Sequence, residues 1–352
     1  MKIALVIYSL EFGGAERVAV LLSKAFKKKG HDVTIITNID KIQYDVDVKI
    51  INLNLPYISN HRIFSYIQLF RKTLLLRKIY KKMNFDSIFS FMENSNIPSL
   101  LVNRKTNISI HTSHTYNEKK TLFLAKYFYR YAKNFIVVSE DSYQYFKYKH
   151  NIKNVKRIYN PIDFLLIKKK LKNSKINPCD FKYVLAVGRF VEEKGFDLLI
   201  KAYAKTKLRK FAKLVILGSG KLEDDLKMLI SELNLNGNVV LPGFCDNPFI
   251  YYKYAEFFIS SSRREGFPMT LIEALACGCA VISSDCKTGP NEIIKDNQNG
   301  LLIPVENIDY MSRKMDLLYF DETLKNKFRL NAHNSIKKFN IEYILDDYMK
   351  LI

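Results

Sequence analysis

The sequence predicts an α/β protein made of two doubly wound domains with parallel sheets, and three observations support this prediction. The chain has 352 residues, which is long for one domain and suits two. Hydrophobic residues make up 48% of it, enough for packed cores and too many for a disordered chain. Short apolar runs alternate with helix-like stretches along both halves, a pattern typical of parallel sheets covered by helices.

The apolar runs give the predicted strands, taken in chain order. They are 3–8, 33–37, 48–53, 87–91, 108–111, 135–139, 183–187, 214–217, 239–241, 257–260 and 280–283. Helices are predicted in the second half at 196–205, 222–233 and 269–277. Two such domains in tandem would place a cleft between the carboxyl ends of the two sheets, where ligands commonly bind.

The predicted domain boundary follows the turn Asn160-Pro161, where a lysine-rich polar stretch begins. We therefore expect an N-terminal domain at 1–170 and a C-terminal domain at 182–335. Residues 336–352 are predicted to form a helix that returns toward the N-terminal domain.

The start of the chain and its cysteines indicate the cellular compartment and whether disulfide bonds are expected. The apolar run 3–10 is followed by Glu11 and Gly13-Gly14 rather than by small cleavage-site residues, so a buried strand is preferred to a signal peptide. No run of eighteen apolar residues predicts a membrane-spanning helix. Five cysteines, an odd number, argue against a disulfide framework. A cytoplasmic protein is expected.

The net charge of +21 calls for an anionic partner, either nucleic acid or a membrane surface. No recognition-helix or RNA-binding motif is found, so no nucleic acid is expected.

One basic stretch carries an apolar stripe (Ile63, Ile67, Phe70 and Leu74) and the cations Arg71, Lys72, Arg77, Lys78, Lys81 and Lys82. A second stretch places Lys119, Lys126, Arg130 and Lys133 in one sector of a predicted helix. Each cation near an anionic leaflet contributes about 1 kcal/mol, which predicts peripheral attachment to the inner face of the cell membrane. A soluble helix with a hydrated basic face is the alternative.

Two motifs at strand ends could bind an anion. Gly13-Gly14-Ala15-Glu16-Arg17 follows the first strand, where glycines allow a sharp turn and the next helix begins with free N–H groups. Val187-Gly188-Arg189 ends a strand and Lys194-Gly195 opens a helix, so that two cations can reach a diphosphate. An ordinary tight turn and a solvated loop, respectively, remain open as structural explanations.

The most specific motif pairs two carboxylates around the start of a helix. Glu265-Gly266-Phe267-Pro268 precedes the predicted helix, and Glu273 lies within it between apolar neighbours. Pro268 supplies no N–H group, whereas the amides of Met269 and Thr270 are free for a phosphate. A buried Glu273 could accept hydrogen bonds from two neighbouring hydroxyls, each contributing about 1.5–3 kcal/mol when charged.

These motifs, taken in this order, resemble those of retaining family 4 glycosyltransferases. Thr288-Gly289-Pro290-Asn291-Glu292-Ile293-Ile294 and Asn299-Gly300-Leu301-Leu302 complete the resemblance, which covers nearly the whole chain and is strongest over 183–303. It implies the GT-B architecture, in which two Rossmann-like doubly wound domains face each other across a cleft. It also implies that the enzyme needs no metal and no cofactor beyond its nucleotide-sugar substrate.

The resemblance assigns roles to individual residues. Arg189 and Lys194 would hold the donor diphosphate, Glu273 the ribose hydroxyls, and Glu265 with Gly266, Phe267 and Pro268 the transferred sugar. Gly14 would approach the phosphate from the opposite domain. A front-face displacement is expected, in which the leaving phosphate oxygen takes the acceptor proton and the two cations stabilise the leaving charge.

A histidine is also expected after a strand of the first domain. Ile110-His111-Thr112-Ser113-His114 offers two, and His114 matches the family position better because polar residues flank it. The pair Asp45-Val46-Asp47 matches the D-x-D metal motif of the other large transferase fold, but it precedes a probable strand and metal binding there is disfavoured.

The acceptor is inferred from two further likenesses. The segment that contains Phe70-Arg71-Lys72 and Leu76-Arg77-Lys78 resembles the basic helix of bacterial transferases that extend polyprenyl-diphosphate-linked glycans. Leu241-Pro242-Gly243-Phe244 and its surroundings resemble the N-acetylgalactosaminyltransferases of that group. A UDP-N-acetylhexosamine donor and a lipid-linked glycan acceptor are therefore expected, in O-antigen, capsule or glycan-precursor assembly. A GT-B nucleotide-sugar epimerase and a basic nucleic-acid-binding protein are the alternatives.

Overall fold

The computed structural model describes residues 1–11, 13–55, 62–115, 117–173 and 176–352. The chain divides into two lobes. The first comprises Met1–Pro161 with Phe339–Ile352, and the second comprises Ile162–Lys338. The boundary falls before the predicted position near 170, because the helix Phe164–Asn173 packs against the helix Phe249–Tyr254 of the second lobe.

Each lobe contains one parallel sheet. The first-lobe strands are β1 (Lys2–Val6), β2 (Asp32–Thr37), β3 (Lys49–Asn52), β4 (Ser87–Phe91), β5 (Asn107–Ile110), β6 (Asn134–Val137) and β7 (Val155–Arg157). The second-lobe strands are β8 (Tyr183–Val187), β9 (Lys213–Leu217), β10 (Val239–Gly243), β11 (Phe258–Ser260), β12 (Val281–Ser284) and β13 (Leu301–Ile303). The spatial orders are β3-β2-β1-β4-β5-β6-β7 and β10-β9-β8-β11-β12-β13. The strand order reverses at β1/β4 and at β8/β11, and ligands bind beyond the carboxyl ends of strands at such reversals.

Helices connect most of the strands in both lobes. They are α1 (Gly14–Lys28), α2 (Arg62–Met83), α3 (Glu93–Val102), α4 (Glu118–Tyr127), α5 (Glu140–Gln144), α6 (Phe164–Asn173), α7 (Phe196–Ala204), α8 (Glu223–Glu232), α9 (Phe249–Tyr254), α10 (Met269–Ala276), α11 (Pro290–Ile293), α12 (Ile308–Phe320), α13 (Glu322–Ser335) and α14 (Ile341–Met349). The fold class predicted from the sequence, two Rossmann-like α/β domains, is confirmed.

Helix α1 shows how the sequence specifies these elements. Val18, Leu22 and Phe26 recur every four residues and are fully buried, so one face of the helix packs on the sheet. Glu16 lies in the first turn and Lys27 in the last, and both charges complement the helix dipole.

The last helix, α14, packs against α1 within the first lobe. The buried Tyr348 ring meets the rings of Phe26 and Phe89 edge-on, at centroid distances of 6.5 and 5.5 Å. Burying one such aromatic side chain contributes roughly 1.5–3 kcal/mol, so this docking ties the end of the chain to the first sheet.

Candidate functional site

The glycine turn after β1 begins helix α1. Gly13 is the N-cap, in an extended conformation with φ of −161°, and Gly14 is the first helical residue. The hydroxyl of Tyr44 accepts a hydrogen bond from the Gly13 N–H at 3.3 Å and donates one to the Gly13 carbonyl at 3.2 Å. Tyr44, which the sequence analysis did not single out, therefore fixes the position of this turn.

The two candidate histidines have different surroundings. His114 is 1% exposed, its ring stacks on Tyr145 at 4.2 Å, and its Nδ1 lies 3.2 Å from the Ser142 hydroxyl. The aromatic core of the first lobe therefore encloses the ring of His114, the histidine that matches the family position better in the sequence.

His111 is partly buried directly after the carboxyl end of β5. Its Nδ1 lies 2.9 Å from Asn160 Oδ1, and its Nε2 lies 3.1 Å from the Ser109 hydroxyl. Burial lowers the pKa of His111 to about 4, although the hydrogen bond with Asn160 opposes this shift. The imidazole is therefore neutral at pH 7.

In the second lobe, the β8–α7 connection carries the predicted phosphate-binding cations. Arg189 is exposed, and Lys194 ends a 3₁₀ turn, Glu192–Lys194. Gly195 follows with φ of +62°, and a Cβ atom on it would lie 2.3 Å from the carbonyl oxygen of Ser261. Only glycine lets this connection approach the end of β11 so closely.

That close approach brings together Lys194, predicted to hold the donor diphosphate, and Glu265, predicted to hold the transferred sugar. Lys194 Nζ lies 2.6 Å from Glu265 Oε1, and their side chains are 19% and 9% exposed. The hydroxyl of Ser262 also donates to Glu265 Oε1, at 2.7 Å, and that of Ser261 donates to the Lys194 carbonyl at 2.9 Å. A partly buried cation and a partly buried carboxylate are thus held together at the carboxyl ends of β8 and β11.

The helix that follows Glu265 begins as predicted. Pro268 is the N-cap and α10 starts at Met269, so the amides of Met269 and Thr270 have no acceptor within the helix. Glu273 is 2% exposed, between helical neighbours that are also buried. Burying a carboxylate in this way costs free energy unless the group is hydrogen-bonded, so Glu273 is not a solubilising surface residue.

The loop that contains Thr288 and Gly289 contacts the backbone of the 265–268 segment. The hydroxyl of Thr288 donates to the Glu265 carbonyl, and Gly289 has φ of +95°. A Cβ atom on Gly289 would come within 2.7 Å of the Pro268 ring. The Thr288-Gly289 motif therefore acts by positioning the 265–268 peptide.

A glycine pair beside Arg189 was not predicted from the sequence. Gly218 and Gly220, after β9, have φ of +147° and +158°, and Cβ atoms there would clash with the backbone of Gly188 and Phe190. The signal was available, as a G-x-G sequence directly after an apolar strand. This pair sets the backbone path on either side of Arg189.

Helix α2 carries the predicted basic stretch, and it contains one correction. Arg71, Arg77 and Lys78 are exposed, but Lys72 is only 4% exposed, because positions 72, 76 and 80 form the buried face of the helix. Lys72 Nζ donates to the Asn94 carbonyl at 2.8 Å and lies 3.2 Å from the Ser95 hydroxyl. Lys72 therefore does not belong to a membrane-facing surface. What we call the α2 surface consists of Tyr66, Ile67, Phe70, Arg71, Leu74, Arg77 and Lys78, all exposed.

The second basic stretch differs from the single helix predicted for it. Helix α4 ends at Tyr127, and a 3₁₀ turn, Tyr129–Tyr131, follows. Lys133 Nζ donates to the Leu351 carbonyl at 2.8 Å, within the first lobe. What we call the α4 surface combines exposed cations with exposed aromatic rings: Phe123, Lys126, Tyr127, Arg130 and Tyr131.

The described ranges offer neither a metal-binding cluster nor a membrane-spanning helix. In the D-x-D sequence, Asp45 and Asp47 pair with Lys24 and Lys27 at 3.0 and 3.2 Å. Within those ranges, no cluster of three or more histidine, cysteine or acidic side chains is arranged to hold a metal ion. No described helix combines the length and the apolar character needed to cross a bilayer.

Family models match both lobes. Residues 12–164 match glycosyltransferase family 4, and residues 167–335 match glycosyl transferases group 1. A Campylobacter jejuni protein, N-acetylgalactosamine-N,N'-diacetylbacillosaminyl-diphospho-undecaprenol 4-alpha-N-acetylgalactosaminyltransferase, is 33% identical, and the alignment covers 100% of this chain and 99% of that protein.

Solved structures share the fold. Sucrose-phosphate synthase from Thermosynechococcus elongatus has a TM-score of 0.83 at 21% identity, covering 99% of this chain and 98% of that one. Anabaena HepE, solved in complex with UDP and glucose, has a TM-score of 0.79 at 19% identity, with coverage of 99% and 98%.

Proposed function

This chain belongs to the family 4 glycosyltransferases, and from that membership we propose that it transfers an N-acetylhexosamine, GalNAc or GlcNAc, from a UDP donor to a polyprenyl-diphosphate-linked glycan. The observation that carries the proposal is the Lys194–Glu265 pair, 2.6 Å apart, next to the start of α10. Such a site offers a diphosphate a cation and free amides within one loop cluster.

The donor would be held by the second lobe. Arg189 and Lys194 bind the diphosphate, with the Met269 and Thr270 amides beside them, and Glu273 accepts hydrogen bonds from the ribose hydroxyls. Glu265 exchanges its ion pair for hydrogen bonds to the sugar, because the incoming diphosphate competes for Lys194.

The transfer would proceed with retention and without a metal. The bond between the anomeric carbon and the β-phosphate oxygen breaks, a bond to the acceptor hydroxyl oxygen forms on the same face, and the acceptor proton moves to the leaving phosphate oxygen. Arg189 and Lys194 stabilise the charge that develops on the diphosphate. We assign the family histidine to His111, neutral at pH 7, in place of the enclosed His114.

The acceptor assignment is supported by the relative and by two surfaces. The Campylobacter jejuni protein is named for a diphospho-undecaprenol-linked substrate. The α2 and α4 surfaces of this chain combine exposed apolar rings with Arg71, Arg77, Lys78, Lys126 and Arg130. Apolar contacts together with cations favour an anionic membrane surface, so the enzyme would be peripheral on the inner face of the cell membrane.

A transfer assay tests the proposal. Purified enzyme is incubated with a panel of radiolabelled nucleotide sugars and a bacterial lipid extract, and label is counted in the organic phase. We expect label from UDP-GalNAc or UDP-GlcNAc only, and loss of at least 100-fold in Glu273→Ala but not in Glu232→Ala, an exposed glutamate of α8. Label from no sugar nucleotide, or equal transfer by Glu273→Ala, would overturn it.

The epimerase alternative gains no support from the relatives described above. An epimerase would convert free nucleotide sugar in solution and leave the organic phase unlabelled, so the same assay separates the two activities.

A further inference from the structure

Arg263, in the loop between β11 and α10, uses its guanidinium to join three separate segments of the second lobe. Nη1 and Nη2 donate to the two carboxylate oxygens of Asp197 at 2.7 and 2.8 Å, Nε donates to Glu306 at 2.8 Å, and Nη1 also donates to the Glu192 carbonyl at 2.9 Å. The side chain is only 19% exposed. A two-pronged arginine–carboxylate pair of this kind fixes both distance and orientation.

These partners enclose Lys194 on both sides along the chain. Glu192 precedes it in the 3₁₀ turn, and Asp197 lies in the first turn of α7. The backbone N–H of Arg263 adds a hydrogen bond to the Glu193 carbonyl at 2.8 Å. The connection that carries Lys194 is therefore tied to the loop that carries Glu265 through Arg263.

Glu306 gives independent support for a tightly held arrangement. Its φ is +61°, in the left-handed region, which is strained for a non-glycine residue. Such a conformation persists where surrounding contacts hold it, and its carboxylate contacts Arg263. Burial alone would raise the pKa of Asp197, but the hydrogen bonds and charge of Arg263 lower it, so the carboxylate stays ionised.

We propose that Arg263 is a positioning residue that sets Lys194 at the correct distance from Glu265 and from the donor diphosphate. It acts through Lys194 and contacts neither the donor nor the reacting atoms. This inference rests on the proposed function, because it assumes that Lys194 binds the diphosphate.

A double-mutant cycle in UDP affinity, measured by calorimetry, tests this inference. Arg263→Ala and Lys194→Ala should each weaken UDP binding about tenfold or more, and the double variant should bind no more than twofold weaker than Lys194→Ala alone. Arg263→Lys keeps the charge but loses the planar fork, so it should recover only part of the affinity. Arg313→Ala, at an exposed arginine of α12, should bind as the wild type does.

Two results would overturn the inference. One is unchanged UDP affinity in Arg263→Ala, and the other is a double variant whose loss equals the product of the two single losses. If Arg263→Ala does not fold, Arg263→Lys and Asp197→Asn replace it in the same cycle.

A second readout separates this inference from the proposed function. If the wild type binds no nucleotide, the proposed function fails, and hydrogen exchange then decides the role of Arg263. Arg263→Ala must speed amide hydrogen exchange at 192–197 relative to the wild type and leave exchange at 239–243 unchanged. Exchange at 192–197 that equals that of the wild type would refute the positioning role of Arg263.

Discussion

Lys72 lies on the buried face of α2, where its ammonium group donates hydrogen bonds to the start of α3. Burial lowers the pKa of Lys72 to about 7, from an ordinary value of 10.5. Between these two values the unfolded chain holds a proton that the folded chain releases, so the folded state gains stability as the pH rises through this window.

We predict that Lys72→Met removes this dependence. From pH 7 to pH 10, the unfolding free energy of the wild type should rise relative to that of Lys72→Met by about 1 kcal/mol per pH unit. Urea unfolding followed at several pH values measures it. Lys78→Met, at an exposed position of the same helix, serves as the control. A difference that stays constant with pH would show that Lys72 keeps its proton when folded.

The two histidines should separate activity from stability. His111→Ala is expected to lower transfer by at least tenfold with little change in melting temperature, because His111 lies at the carboxyl end of β5 and is partly exposed. His114→Ala should lower the melting temperature by several degrees, because it leaves a cavity beneath Tyr145. Transfer rates and thermal unfolding of both variants check this, and the reverse pattern would restore His114 to the site.

At the scale of elements, α2 has one buried face and one exposed face. Lys72, Leu76 and Tyr80 pack into the first lobe, while the α2 surface remains exposed. Charge reversal at Arg71, Arg77 and Lys78 should release the enzyme from vesicles that contain anionic lipid, because each cation contributes about 1 kcal/mol there. Sedimentation with such vesicles measures it, and unchanged co-sedimentation would count against membrane binding by α2.

A matched control is the reversal of Lys201, Arg209 and Lys210, three exposed cations of the second lobe. It changes the net charge by the same amount and should leave vesicle binding unchanged. Equal release by both variants would mean that only total charge matters.

The apolar part of the α2 surface makes a separate prediction. Phe70 and Leu74 are 64% and 48% exposed, and insertion into the interface would bury them. Phe70→Ser with Leu74→Ser should therefore reduce the vesicle binding that persists at 0.5 M salt, where charge attraction is screened. Binding that vanishes at this salt in the wild type would contradict apolar insertion.

Local pattern predicted some elements well and others poorly. β4 and β8 have the predicted bounds, because both are continuous apolar or small-residue runs that the sheet buries completely or nearly so. β7, Val-Lys-Arg, was missed because an edge strand of three residues with two exposed side chains has no hydrophobic signature. The burial of Lys72 was missed because a lysine at a core position cannot be distinguished from its exposed neighbours until the partner helix is known.

Across the whole molecule, the structure brings second-lobe candidates into one loop cluster, whereas it encloses the first-lobe candidate His114 in the core. The motifs that predict this cluster are local in sequence, and they contain Gly195, Glu265 and Glu273. The structure brings Lys194 and Glu265 together. The roles of Tyr44 and Arg263 depend on contacts between segments far apart in the chain, and nothing in the local sequence marks them.

The most direct test of the central claim is titration of the enzyme with UDP in a calorimeter. We predict measurable binding to the wild type and to Glu232→Ala, and affinity at least tenfold weaker in Lys194→Ala and in Glu273→Ala. Equal affinity in all four proteins, or no heat with UDP or any other sugar-carrying nucleotide, would contradict a donor site built on Lys194, Glu265 and Glu273.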